Sequence, residues 1–352
     1  MARAGRRCKR GRRDSQATVS VVFSFWNEAE VLPELIRRLR CVFDLLLASQ
    51  QIANYELLFV NDASTDASEQ VLRQAAQERS DIRIINMSRN FGVAPCVLAG
   101  LRYAQGDAVI YMDADLQDPP EVIPELIARW KLDPEVEVVH TVRQSRRGET
   151  AIKRAITALG YTALRAVSSI DLPREAGDFK LLSRRVVDLL LQLPEQRPFM
   201  RGLVCWLGFK QDFVYYHREP RAAGRSKFPV LGLKVLRNFF DSALISFSDV
   251  PLKLAGWLGS IALAVGLLLA TLVAGAALVG EGASSTLMVC SVVLVVGGAQ
   301  LACLGVFGRY LAGVYFESKR RPRYIVRDTF GFPSMSPVAS DNRRSSSDRL
   351  CC

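Results

Sequence analysis

Residues Ala108 to Glu121 read AVIYMDADLQDPPE, and the reading of the whole chain turns on them. Ala108 to Met112 form a short apolar run that fits a buried strand. The strand runs directly into Asp113, and the acidic stretch Asp113-Ala114-Asp115-Leu116-Gln117-Asp118 follows. Pro119 and Pro120 then open a helix over Val122 to Trp130. Upstream, the same strand-then-helix pattern repeats. Residues 19–25, VSVVFSF, read as a buried strand, and Glu28 to about Ala48 as a helix with Leu32, Leu35, Ile36, Leu39 and Phe43 at helical spacing. Tyr55 to Val60 and Ile82 to Met87 are further strands, followed by helices over Asp66 to Arg79 and Gly92 to Ala104. Val136 to Val142 supplies a fifth strand. This alternation predicts an α/β domain with a mainly parallel sheet. Functional residues are expected at the carboxyl edge of such a sheet, where Asn27, Asp62 and Asp113 all fall.

Beyond this region the composition changes. Residues 254–280 and 282–308 carry no charged side chain, and only Glu281 separates them. Each stretch exceeds the ~20 apolar residues that a membrane-crossing helix needs. Together they read as a hairpin with a short outer turn. The formal net charge of +11 is unevenly placed. Seven Arg or Lys lie within the first 13 residues, and a second cluster runs from Arg309 through Lys319, Arg320, Arg321, Arg323 and Arg327. Both suit an anionic cytoplasmic surface, and the Lys/Arg bias puts the soluble half and the segment after the second span on that side. No nucleic-acid recognition motif follows the N-terminal arm, and no apolar core follows its arginines to make a signal peptide.

The expected division is a basic flexible arm at 1–17 and a large α/β domain at 18–228. Amphipathic juxtamembrane helices at 229–253 lead into spans at 254–280 and 282–308. A basic segment at 309–332 and a disordered tail at 333–352 complete the chain. Residues 143–170 also read as an amphipathic helix, either on the membrane surface or on the sheet.

The eight cysteines are scattered without a CxxC pair, which argues against structural zinc and a redox couple. No GxxxxGK run and no GxSxG elbow is present, which disfavours a P-loop nucleotidase and a serine hydrolase. His140 and His217 are isolated and read as structural. The carboxylates of Asp113 and Asp115, with Gln117, are oxygen ligands of the kind that suits Mg²⁺ or Mn²⁺ beside a diphosphate. Asp62, in Asn61-Asp62-Ala63-Ser64, is placed to accept hydrogen bonds from a base or ribose, while Ser64 or Thr65 can cap the next helix. Asn27 can cap its own helix, and Glu28 can reach a nucleotide edge. Arg89, before Phe91-Gly92, can contact phosphate. Asp178 is a candidate to position or deprotonate an acceptor. Arg197, Arg201, Arg221, Arg225 and Lys227 make a basic region suited to a lipid phosphate or a diphosphate.

Taken in order, VSVVFSFWNEAE, FVNDASTDAS, MSRNFG, YMDADLQDPPE, GDFKLLSRR, EQRPFMRGLVCWLGF, REPRAAGRSKF and FSDVPLK, followed by two spans, resemble the family-2, A-type glycosyltransferases. The similarity covers roughly residues 18–320 and is strongest to the polyisoprenyl-phosphate subgroup, which includes dolichol-phosphate mannose synthase and bacterial undecaprenyl-phosphate glucosyltransferases. It implies a GT-A nucleotide-sugar-binding fold with amphipathic interface helices and a C-terminal two-helix transmembrane hairpin. The implied activity is metal-dependent, inverting transfer of a sugar from a UDP- or GDP-sugar to a polyprenyl phosphate, for envelope glycan modification. The implied setting is the bacterial inner membrane, with the catalytic domain and both termini cytoplasmic. Membrane lipids, a downstream flippase and glycosyltransferase, and a homo-oligomer are the expected partners, with no nucleic acid among them.

By the same resemblance, Asp113, Asp115 and Gln117 match metal and diphosphate positions, and Asp115 and Asp178 catalytic ones. Asn27, Glu28, Asp62, Arg89, Arg143 and Arg147 fall on the donor side. Arg197, Arg201, Arg221, Arg225 and Lys227 lie around the donor or lipid phosphate. The chain departs from the family at Ser24 (usually Pro), Trp26 (usually Tyr), and at Asn61 and Ala63, where the usual run is Asp-Asp-Gly-Ser. Those departures leave open an unusual donor, such as a modified arabinose, or a catalytically weak membrane scaffold. Two spans are too few for a processive polysaccharide synthase.

Overall fold

The computed structural model describes residues 17–143, 176–196, 198–217 and 285–332, with residues 257, 259–262, 264–266, 268, 271 and 275 between them. The described chain builds one eight-stranded sheet flanked by helices. The strands are β1 (Thr18–Phe25), β2 (Asn54–Asn61), β3 (Ile82–Met87), β4 (Ala108–Asp113), β5 (Val136–Arg143), β6 (Ala176–Ser183), β7 (Lys210–Tyr216) and β8 (Val326–Phe330). Their spatial order is β7-β5-β6-β4-β1-β2-β3-β8. The helices are α1 (Leu32–Ala48), α2 (Ser68–Glu78), α3 (Val93–Tyr103), α4 (Ile123–Leu132), α5 (Arg184–Gln192), α6 (Met200–Trp206) and α7 (Ser285–Ser318). A 3₁₀ turn at Pro120–Val122 precedes α4.

The five strands foreseen from sequence all form. Central β1 pairs in parallel with β2 and β4, and β2 with β3. The sheet is nevertheless mixed, because β6 runs antiparallel to β4 and β5, and β8 antiparallel to β3. The central strands are apolar on both faces because both faces are covered. Val19, Val21 and Phe23 of β1 pack with Leu35, Leu39 and Phe43 of α1, while Val22 faces the α3 side. All five apolar positions read on the first helix are buried. Helix α3 lies close on the sheet, since a Cβ at Gly100 would stand 2.1 Å from a methyl of Val22.

Three local expectations are corrected. Helix α1 begins at Leu32, not Glu28, and neither Asn27 nor any other side chain caps it. Helix α2 begins at Ser68, whose N–H donates to Asp66 Oδ1 (3.0 Å), so Ser64 and Thr65 are not its caps. The basic stretch 309–332 is not simply a surface segment: it completes α7 and then supplies β8. The signal for β8 was its alternation, in which Val326, Asp328 and Phe330 turn inward and Arg327 and Thr329 outward.

Among the described residues one helix, α7, is long and apolar enough to cross a membrane, over Val295–Ser318. It is apolar around its circumference and exposes Leu301, Leu304, Phe307 and Leu311. Its 34 residues extend about 50 Å at 1.5 Å per residue, more than the hydrocarbon thickness of a bilayer. Most of 254–280, the arm at 1–16, the amphipathic helix at 143–170 beyond Arg143, the juxtamembrane helices and the tail from 333 lie outside the described residues.

Candidate active site

Four successive strand-to-helix loops end on the same edge of the sheet, and each turns on one residue of positive φ. These are Asn27 (56°) after β1, Ala63 (57°) after β2, Gly92 (95°) after β3 and Leu116 (56°) after β4. Only Gly adopts such angles without steric cost. Non-glycine residues held there cluster at functional sites, where the surroundings enforce the conformation.

Those surroundings are visible. Asn27 donates its backbone N–H to Ser64 Oγ (2.9 Å) and its side-chain amide to Thr65 Oγ1 (3.1 Å), and its Oδ1 accepts from Thr65 N (2.7 Å). The backbone N–H of Glu28 donates to Ser68 Oγ (2.9 Å). The first and second loops are thus clasped together. Asp62 ties the second to the third: its two carboxylate oxygens accept from Phe91 N (2.7 Å) and Gly92 N (2.9 Å). A carboxylate has about four lone-pair sites, so acceptor capacity remains for a ligand. Burial, with the Asp62 charge beside it, pushes the thiol of Cys96 well up, so that it stays protonated. Arg89 is exposed and stacks its guanidinium 4.0 Å over the Phe91 ring.

Asp113 is the last residue of β4, and Ser24 Oγ of β1 donates to its Oδ1 at 3.4 Å. Asp115 Oδ1 accepts from Gln117 N (3.1 Å), which folds the acidic run over the left-handed Leu116. Leu116 is buried, while Asp113, Asp115 and Gln117 are half-buried. No trio of His, Cys, Asp or Glu able to hold a metal occurs among the described residues. A Mg²⁺-type ion bound with substrate phosphates needs only one or two carboxylates, so this donor set fits one.

Asp118 has a different task. It is buried and accepts from the Tyr216 hydroxyl, and Arg143 Nη2 lies 3.5 Å from its other oxygen. Arg143 Nε also donates to Tyr216 Oη (3.2 Å). Burial and the neighbouring Asp118 push the Tyr216 phenol up to about 12. This triad fixes Arg143 at the end of β5, beside Gly177, where a Cβ would stand 3.0 Å from the guanidinium.

Along antiparallel β4 and β6, Tyr111 pairs with Lys180; Asp113 stands two residues after Tyr111 and Asp178 two residues before Lys180, both toward the same edge. Asp178 is held by Arg201 of α6 in a bidentate pair, Nε to Oδ1 at 2.9 Å and Nη2 to Oδ2 at 2.6 Å. Burial would raise the Asp178 carboxyl, but the Arg201 hydrogen bonds and charge, with Lys180 and Arg143, hold it at about 2. Lys180 is fully buried, and its ammonium has no hydrogen-bond partner among the described residues and lies 5.7 Å from the Tyr111 ring centroid. Desolvation lowers Lys180 to about 8, partly offset by Asp178. His140, across from Lys180 on β5, is buried and bonded through Nε2 to Gln211 Oε1 (2.8 Å). Burial and Lys180 hold it neutral, at about 3, in keeping with a structural role.

The structure therefore brings Asn27, Glu28, Asp62, Asp113, Asp115 and Gln117 to neighbouring loops on one edge, sets Asp178 on β6 beside β4, and pairs Arg201 with Asp178 and Arg143 with Asp118. Arg147, Arg197, Arg221, Arg225 and Lys227 lie outside the described residues. Sequence reading passed over Asp118, Tyr216 and Lys180 as participants. Asp118 was legible as part of the acidic run, but nothing local marks Tyr216, 98 residues away, as its partner.

Residues 20–191 match the family model described as glycosyl transferase family 2. The chain is 42% identical over 316 residues to the uncharacterized glycosyltransferase YkcC of Bacillus subtilis (strain 168), covering 89% of this chain and 94% of that protein. It is 36% identical over 318 residues to the bactoprenol glucosyl transferase of Shigella phage SfV, covering 88% and 98%. Among solved structures, the glucosyl-3-phosphoglycerate synthase of Mycobacterium tuberculosis superposes with a TM-score of 0.44 at 19% identity, over 64% of this chain and 75% of that one.

Proposed function

The chain belongs to glycosyl transferase family 2, and we propose that it moves a sugar from a nucleotide-sugar donor to a polyprenyl phosphate such as undecaprenyl phosphate, with inversion. The observation that carries this reading is the placement of Asp113, at the end of β4, and of the Asp178–Arg201 pair, on the adjacent β6, toward one edge of the sheet. Relatives of nearly the same length that are bactoprenol glucosyl transferases support the acceptor class and make glucose the first sugar to test.

Asp113 and Asp115, with Gln117 beside them, would hold Mg²⁺ or Mn²⁺. The chemistry supplied by that ion is neutralisation of charge on the leaving nucleoside diphosphate. Asp62, Asn27 and Glu28 position the nucleotide on the clasped loops. A lipid monophosphate is already anionic near neutral pH, so its oxygen can attack the anomeric carbon without a strong base. Asp178, at about 2, is a poor proton acceptor, and its part is to orient the acceptor through Arg201. Arg143 and Arg201 place positive charge where phosphate charge must be held. Arg147, Arg197, Arg221, Arg225 and Lys227 are assigned to the same phosphates by their family positions.

The topology supports a two-span arrangement with the domain and β8 on one side of the membrane, and the Lys/Arg bias supports the cytoplasmic side. Strand β7 ends at Tyr216, α7 spans Ser285–Ser318, and β8 returns to the same sheet. A chain that leaves a sheet and rejoins it must cross the bilayer an even number of times. With α7 as one crossing, the other falls between residues 217 and 284, where 254–280 is the only uncharged stretch of sufficient length. The proposed divisions are the domain at 18–228, the interface helices at 229–253 and the hairpin at 254–308.

The test uses detergent-purified protein, undecaprenyl phosphate, Mg²⁺ or Mn²⁺, and a panel of UDP- and GDP-sugars, with mass spectrometry of the lipid. A lipid-phosphate-sugar product with one donor establishes the reaction and names the sugar. Folded protein that gives no product across the panel, beside an active control enzyme, turns the reading to an unusual donor or a scaffold.

A further inference from the structure

Asn61 on β2, Asn86 on β3 and Asp328 on β8 stand opposite one another on adjacent strands. A line of hydrogen bonds joins them. Asn86 Nδ2 donates to Asp328 Oδ1 (2.7 Å), and Asn61 Nδ2 donates to Asn86 Oδ1 (3.0 Å). Asn61 Oδ1 in turn accepts from Ser64 N (2.8 Å), and Ser64 Oγ from Asn27 N (2.9 Å). Asp62 and the left-handed Ala63 lie inside the turn that the Asn61–Ser64 bond closes. Both asparagines are buried, so neither can exchange these partners for water without cost.

The line has a direction on which both ends agree, since the Ser64 N–H can only donate to Asn61 Oδ1. A carboxylate only accepts, so Asp328 calls the amide nitrogen of Asn86 toward itself. That leaves Asn86 Oδ1 for Asn61, whose nitrogen must then point to Asn86 and whose oxygen is left for Ser64 N. Glu69 of α2 reinforces the sense by accepting from Asn86 Nδ2 at 3.2 Å. Arg73 and Arg327 hold both carboxylates in place: Arg73 Nη2 lies 3.1 Å from Asp328 Oδ1, and Arg327 Nη2 lies 2.8 Å from Glu69 Oε2. An aspartate at position 61, the residue usual in the family, offers Asn86 Oδ1 no proton. Asn61 and Asn86 are therefore a matched pair in this chain.

We propose that Asp328 and Asn86 are positioning residues for the donor site, through which the strand that follows the membrane helix sets the conformation of the Asn61–Thr65 loop. The proposal rests on reading that loop as nucleotide-binding. It gives β8 a role beyond closing the sheet edge, because seating the segment that emerges from α7 also shapes the loop that carries Asp62.

The test compares full-length wild type, Asp328→Ala and Asp328→Asn in detergent. One arm measures hydrogen exchange of residues 61–65 without nucleotide. The other measures binding of UDP and of GDP, each with Mg²⁺. Asp328→Ala removes the nearer of the two carboxylate acceptors of Asn86 Nδ2, leaving Glu69 at 3.2 Å, and is expected to speed exchange in the loop and weaken nucleotide binding roughly three- to tenfold, the scale of one buried hydrogen bond. Asp328→Asn keeps an acceptor oxygen and is expected to remain near wild type in both arms. Asp328→Ala that matches wild type in both arms overturns the proposal, even where its melting temperature falls. Asp328→Asn that fails as badly as Asp328→Ala also overturns it, in favour of the ion pairs. A wild type that binds neither nucleotide overturns the donor-site reading, while the exchange arm still decides whether β8 sets the loop.

Discussion

Replacing Arg201 with Met cuts the bidentate pair that holds Asp178 and keeps most of the side-chain volume. The expected cost follows from the Asp178 carboxyl, held at about 2 against an ordinary 3.8. At ~1.4 kcal/mol per tenfold change in proton affinity, that difference corresponds to about 2 kcal/mol of folding stability. The side chains of Arg201 and Asp178 remain 35% and 30% exposed, so solvent screening trims the figure toward about 1 kcal/mol. The sign is set by the lowered value: the stabilisation is fully present above about pH 4 and is lost as pH falls through about 2. The assay is denaturant unfolding of wild type and Arg201→Met, followed by fluorescence, at pH 7 and pH 3. Wild type should lead by about 1–2 kcal/mol at pH 7, and its lead should shrink by roughly half at pH 3. Turnover should fall much further than stability, since the variant also loses the cation proposed to hold the acceptor phosphate. A lead that is absent at pH 7, or that does not change with pH, refutes the claim that Arg201 holds the carboxylate ionised.

Ala63→Gly relieves a non-glycine residue at φ 57° and should stabilise the protein by about 1 kcal/mol after the greater chain entropy of glycine is counted. A lowered midpoint in denaturant would show that the loop does not strain Ala63. Lys180→Met removes a buried ammonium that has no hydrogen-bond partner among the described residues, and should raise stability at pH 7 by on the order of 2 kcal/mol. Because Lys180 is lowered to about 8, the wild-type penalty should ease as pH rises through 8, so the two proteins should converge near pH 10. Asp115→Ala, or removal of divalent metal with EDTA, should cut product formation at least about 100-fold, with activity restored by Mg²⁺ or Mn²⁺ only in wild type. Full turnover in EDTA would remove metal from the reaction.

The α/β core was legible because its signals are local. A strand buried on both faces must be continuously apolar, and Val19 to Phe25 and Ala108 to Met112 are. The acidic run after β4 marked itself in the same way, since nothing in a core requires Asp113 and Asp115 directly after such a strand. Membership in the glycosyltransferase family was legible from motif order alone. The caps assigned to Asn27 and Ser64 failed because each side chain found a better partner on the other's loop, a choice made between residues 37 apart. Strand β8 was missed because five residues with alternating burial carry little signal until β3 offers an edge. The pairings of Asp178 with Arg201, of Asp118 with Tyr216 and of Asn86 with Asp328 depend on which strands become neighbours. Composition and periodicity fix what each segment can bury and where it must turn. The sheet order decides which charges and amides face one another, because side-chain hydrogen bonds act over about 3 Å and the strands that bring them together lie far apart in the chain.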